Sequence, residues 1–129
     1  MATIEKFEDL DIWKLSRKLC DDVYKIIQNT DLKTNWKLKD QIDGSSGSVM
    51  DNIAEGFERG GNKEFIYFLS IAKASCGETK SQLYRCYDRK FIDETEFNRL
   101  KENCKIINGK IGAFINYLKK TEYKGHKFK

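Results

Sequence analysis

Proline is absent from the 129 residues, glycine occurs only 9 times and histidine only once, as His126. This composition excludes a collagenous chain and does not fit a disordered one. With a single histidine, His–Ser and His–Cys nucleophilic pairs have nothing to build on. The Glu-x-x-His pairs with which helical bundles hold two metals are excluded for the same reason. Apolar runs extend for only a few residues, so no transmembrane span is expected. The opening Met1-Ala2-Thr3-Ile4-Glu5-Lys6 lacks the charged-then-apolar layout of a secretory signal. Cys20, Cys76, Cys86 and Cys104 include no C-x-x-C pair, which disfavours zinc and thiol-redox sites. Each sits in a helical apolar pattern, where a free thiol acts as a small hydrophobe. Reduced thiols and a cytoplasmic setting follow. Gly60-Gly61 has no Lys-Ser/Thr after it, so it is no phosphate loop, and Gly44-Ser45-Ser46-Gly47-Ser48 falls inside a helical pattern. No metal, cofactor or catalytic constellation is expected, and a non-enzymatic role follows.

What remains is a chain 40% hydrophobic and 34% charged, long enough for one domain with one core. Its net charge of +4 is uneven: beyond residue 118 five lysines oppose only Glu122, so residues 1–118 balance to zero. The expected division is a bundle domain over 1–118 and a flexible basic tail over 119–129.

The 3.6-residue period recurs in four stretches, with no sustained strand-like alternation. The first runs from Asp9, as N-cap, to Asn29, with Ile12, Leu19, Val23 and Ile26 on one face. Lys14, Lys18 and Lys25, interrupted by Asp21 and Asp22 at salt-bridge spacing, read as a solvated face. The second spans Thr34 to Phe57 on Leu38, Ile42, Val49, Ile53 and Phe57, and Gly60-Gly61 ends it. Asn62 is the expected N-cap of a third helix reaching Arg89, buried through Phe65, Phe68, Leu69, Ala72, Cys76, Leu83 and Cys86. The fourth opens on Asp93 and Glu96 as a capping box, with Ile92 and Phe97 placed for a hydrophobic staple. Phe97, Leu100, Cys104, Ile107, Ile111, Phe114 and Leu118 then alternate spacings of 3 and 4, a heptad seam. Each large member contributes roughly 1.5–3 kcal/mol on burial, outweighing about 1 kcal/mol each for Gly109 and Gly112. The fold class is all-α, an up-down-up-down four-helix bundle.

A polar stripe is the unusual feature. Gln41, Ser45, Ser48, Asn52 and Glu55 follow at spacings of 4, 3, 4 and 3, and Ser75, Glu78 and Gln82 at 3 and 4 on the third helix. A hydrogen-bonded network between helices or subunits, fixing their register, is expected, in preference to two wet faces. Asn52→Ala should then cost more than about 1.5 kcal/mol. Ser45, Ser48, Ala72, Ser75 and Gly77 should let the backbones approach closely. Apolar residues off the main seams, namely Ile66, Tyr67, Ile71, Ile106, Ala113, Ile115 and Tyr117, point to self-association.

The segment Gln41-Ile42, Ser45-Ser46-Gly47-Ser48-Val49, Asn52-Ile53-Ala54-Glu55-Gly56 resembles the signature of the bacterial four-helix bundle proteins encoded in intervening sequences of large-subunit ribosomal RNA genes. Phe7-Glu8-Asp9-Leu10-Asp11-Ile12-Trp13 looks like that family's opening, and Glu64 to Glu78 like its third-helix motif; the likeness covers about residues 6–118. It implies a cyclic homo-oligomer, a pentamer. It also implies kinship with the accessory variability protein of diversity-generating retroelements, which works with a reverse transcriptase and RNA. Family members often carry Arg after the Gln-Ile pair, where this chain has Asp43 and Gly44. The basic candidates for nucleic-acid contact are therefore Arg59, Lys63, Lys73, Lys80, Arg85, Arg89 and the tail lysines Lys119, Lys120 and Lys124. The expected function is a homo-oligomeric scaffold or adaptor binding RNA or DNA through phosphates, and the alternative is a protein-binding module. An enzyme using Glu55 or Glu78 is the third reading.

Overall fold

The computed structural model describes residues 4–121. Helices α1 (Asp11–Asn29), α2 (Trp36–Arg59), α3 (Asn62–Asp88) and α4 (Glu94–Thr121) account for most of them, with 3-10 turns at Phe7–Asp9 and Asp31–Thr34 and no strand among the described residues. Short connections force successive helices to run antiparallel. Cross-helix contacts carry that sense: Ser45 meets Thr79 and Ser48 meets Ser75, while Asp22 meets Arg99 and Asp11 meets Lys110. Among neighbouring helices, contact is most extensive between α2 and α3 and thinnest between α1 and α4.

The helix ends follow local chemistry, with four departures from expectation. Asp9 closes a 3-10 turn instead of capping α1, and extended Leu10 precedes the helix with no side-chain cap. The cap of α2 is Asn35, whose Oδ1 accepts the Leu38 amide at 3.2 Å, so the helix starts at Trp36 and not at Thr34. Gly60, at φ 89°, ends it in the left-handed region where a Cβ is strained. Asn62 is the first residue of α3 and not its cap; extended Gly61 holds that place. The Asn62 amide donates to the Leu118 carbonyl at 3.0 Å, tying the start of α3 to the end of α4. Asp93 does cap α4, accepting the Glu96 amide at 2.8 Å. The other half of the box is not made, because the Glu96 carboxylate takes the Arg99 guanidinium.

The core matches the apolar periodicity of α2 closely. On α4 the seam is Phe97, Leu100, Cys104, Ile107, Ile111, Ile115 and Leu118; Phe114 is only half-buried. A 3.6-residue helix drifts about 20° per heptad against a 3.5-residue repeat, so the inward position passes from 114 to 115 near the end. Phe68 on α3 is likewise half-buried. The last turn of α4 includes Lys119 and Lys120, three residues past the expected boundary at 118, and Lys124 lies outside the described residues. No helix among the described residues is long and apolar enough to cross a membrane.

Candidate functional site

The polar stripe of α2 lies against α3, which supplies the partners. Gln41 Oε1 accepts from Arg85 Nη1 at 2.8 Å. One turn on, the Ser45 hydroxyl meets Thr79 Oγ1 at 2.8 Å and donates to Gln82 Oε1. Ser48 meets Ser75 at 2.9 Å, and Asn52 Nδ2 donates to the Ser48 carbonyl and hydroxyl at 2.8 and 2.9 Å. At the end of the row Glu55 receives the Arg59 guanidinium at 2.7 Å, and that cation sits over the Phe68 ring. Ser45, Ser75 and Thr79 are buried hydroxyls, each satisfied, so sliding α2 along α3 would strand them at roughly 1–3 kcal/mol apiece.

The structure joins Gln41, Ser45, Ser48, Asn52 and Ser75 in this ladder but leaves Glu78 out. Glu78 is exposed, and Thr79, fully buried, occupies its place. Ser75, Thr79 and Gln82 keep helical spacing as well as the Glu78 series does, so polarity alone does not choose between them. Asn52 bonds within its own helix and serves to orient Ser48. Close approach is set at Gly56: a Cβ there would stand 2.8 Å from both Phe65 Cδ1 and Phe68 Cβ. At Gly77, by contrast, a Cβ would meet nothing within 4 Å, so that glycine does not serve helix packing.

Several chemistry-bearing groups elsewhere are paired or buried. Asp22 is buried between two cations, its Oδ1 at 3.5 Å from Lys18 and its Oδ2 at 3.4 Å from Arg99. It lines a cleft of about 430 Å³ with Ile26, Phe91, Asp93 and Glu96. Both of its oxygens face cations, so the cleft offers no free base there. The Arg99 pKa is raised chiefly by its bond to Glu96 and further by Asp22. Burial pushes the Cys20 and Cys86 thiols up to about 11. Among the described residues no group of three His, Cys, Asp or Glu could hold a metal ion. Glu55 and Glu78 are both exposed and share no hydrogen bond.

The basic candidates divide in two. Arg59 and Arg85 are spent on Glu55 and Gln41. Lys63, Lys73, Lys80, Arg89, Lys119 and Lys120 form no ion pair among the described residues. Of the off-seam apolar residues, Ile115 belongs to the chain's own core, whereas Tyr67, Ile106 and Tyr117 are exposed, and Trp36 is 73% exposed.

The fold is similar to the crystal structure, at 1.70 Å, of a protein of unknown function from the S23 ribosomal protein family of Bacteroides thetaiotaomicron. That likeness has a TM-score of 0.73 at 21% identity, covering 81% of this chain and 97% of that one. No curated protein matches this chain. The family model described as 23S rRNA-intervening sequence protein matches residues 8–113, which span the start of the bundle, the whole α2–α3 ladder and most of α4. The chain belongs to the 23S rRNA-intervening sequence protein family.

Proposed function

We propose that this chain is a non-enzymatic cytoplasmic scaffold that assembles with copies of itself into a ring of five and binds RNA or DNA through phosphates. The observation that carries the nucleic-acid reading is the set of cations without carboxylate partners among the described residues, Lys63, Lys73, Lys80, Arg89, Lys119 and Lys120. A cation already held by a carboxylate has little left for a phosphate, and these have nothing to give up. A ring would repeat each patch and raise avidity without new contacts. Self-association is supported by Ile106, Ala113 and Tyr117, which share the α1 side of α4 and are exposed where the α1–α4 contact is thin. Phosphate-driven binding weakens steeply as salt rises, because condensed counterions are released. Electrophoretic shift of structured RNA and of single-stranded DNA at low and high salt is the test, and absence of any shift at low salt rejects the reading. Sedimentation showing only a 15.1 kDa species at micromolar concentration rejects the assembly.

A second reading, a module for a protein partner such as a reverse transcriptase, is favoured by exposed Trp36, Tyr24 and Tyr67. Such binding would tolerate salt.

A further inference from the structure

We propose that the outer seam between α3 and α4 is a track for a single strand of RNA or DNA, with phosphates held by Lys73, Lys80, Lys101 and Lys105 and a base stacked on Tyr84. This rests on the nucleic-acid reading above and names the surface and the form of ligand. On α3, Lys73, Gly77, Lys80 and Tyr84 follow at spacings of 4, 3 and 4, and on α4, Lys101, Lys105, Asn108 and Gly112 follow at 4, 3 and 4. Each set therefore occupies one face of its helix. Two contacts show that the faces meet: the Lys73 Cε lies 3.4 Å from where a Gly112 Cβ would be, and Lys101 Nζ is 5.7 Å from the Tyr84 ring centre. Since the helices are antiparallel, the four lysines straddle one line, and no position in either set carries a carboxylate.

Two of the other seams engage cations internally. Between α1 and α4, Lys110 pairs with Asp11 at 3.0 Å and Arg99 with Asp22 at 3.4 Å. Between α2 and α3, Arg85 and Arg59 are engaged in the ladder. Along α3–α4 none of the four lysines forms an ion pair among the described residues. Gly77 is exposed in mid-helix, where glycine costs about 1 kcal/mol against alanine, and packing gives it no reason to be there. A ligand lying close to the backbone gives one.

Tyr84 distinguishes a single strand from a duplex. It is 43% exposed, its ring braced edge-on by Phe97 at 4.8 Å and approached by Lys101. A braced, half-open aromatic ring among cations suits an unpaired base, and every base has a π-face to offer. In a duplex the bases are already stacked on one another and only phosphates would reach the track.

The test is fluorescence anisotropy of the full chain with labelled oligouridylate, oligothymidylate and a mixed-sequence RNA duplex across a salt series. Lys73→Gln, Lys80→Gln, Lys101→Gln and Lys105→Gln combined should weaken oligouridylate binding at least tenfold and lower the log–log salt slope by about 3. Removing the same number of exposed lysines elsewhere (Lys6, Lys14, Lys33 and Lys37 to Gln) should do much less. Tyr84→Leu should weaken both single strands roughly fivefold or more, leaving the salt slope and the duplex unaffected. The two single strands compared show whether the track prefers RNA or DNA. Photocrosslinking of thiouridine-substituted oligouridylate to the unmodified chain should label peptides of α3 and α4, which needs no variant to fold. If the chain binds but the two lysine sets behave alike, or crosslinks fall only on α1 and α2, the track is wrong and the nucleic-acid reading stands. If the unmodified chain binds no probe at low salt, the nucleic-acid reading itself fails.

Discussion

Gly56 has a reason to be glycine that can be measured. A methyl group there would overlap Phe65 and the backbone-proximal Cβ of Phe68, neither of which can swing away. Overpacking of this kind costs about 1–3 kcal/mol, against about 1 kcal/mol gained from helix propensity. Gly56→Ala should therefore lower the urea midpoint, whereas Gly47→Ala, with open space at its Cβ, should raise it. The ladder yields a second contrast. Ser45 is buried and serves Thr79 and Gln82 across the interface, so Ser45→Ala should cost about 1–2 kcal/mol in denaturant titration. Asn52→Ala removes bonds to its own helix only and should cost about 1 kcal/mol or less, below the 1.5 that a buried cross-helix role would demand.

At the level of the helices, the caps separate what a residue type suggests from what its backbone allows. Asp9 and Asp93 are both aspartates ahead of an apolar helix, yet only Asp93 accepts a first-turn amide. The Phe7–Asp9 turn draws Asp9 into a 3-10 conformation, which leaves its carboxylate one residue too early to cap. Asp93→Ala should lower the thermal midpoint by the equivalent of about 1 kcal/mol, and Asp9→Ala should leave it within error. The same distinction separates Asn35, a cap, from Asn62, whose amide reaches across to Leu118. Sequence pattern located all four helices to within a few residues because apolar periodicity is local. It misassigned two N-terminal caps, Asp9 and Asn62, because the turn geometry before each helix is not encoded in the cap residue.

For the molecule as a whole, the buried thiols set a limit in alkali. Burial raises Cys86 to about 11, above the roughly 8.5 of an unfolded cysteine. Folding therefore favours its neutral form, a contribution complete below pH ~8.5 and lost as pH rises through the folded value. Stability should fall between about pH 8.5 and 11, and Cys86→Ala should flatten that slope while lowering stability at pH 7 through the lost packing. At pH 8 native Cys86 should resist iodoacetamide, with labelling restored in urea, since the thiolate is the nucleophile.

Composition and periodicity alone determined the all-helical class and the core faces, because those depend on each residue's own chemistry and on neighbours three or four positions away. Which side chains meet across helices was decided only in three dimensions. Thr79 took the place expected for Glu78, Ile115 that of Phe114, and Gly56, not Gly77, is the glycine at the close approach. Lys73 and Lys80 stand among the candidates read from sequence, but Lys101, Lys105 and Tyr84 do not. Their common face exists only once α3 and α4 are rotated and registered against each other, and that rotation is fixed by packing of the entire core.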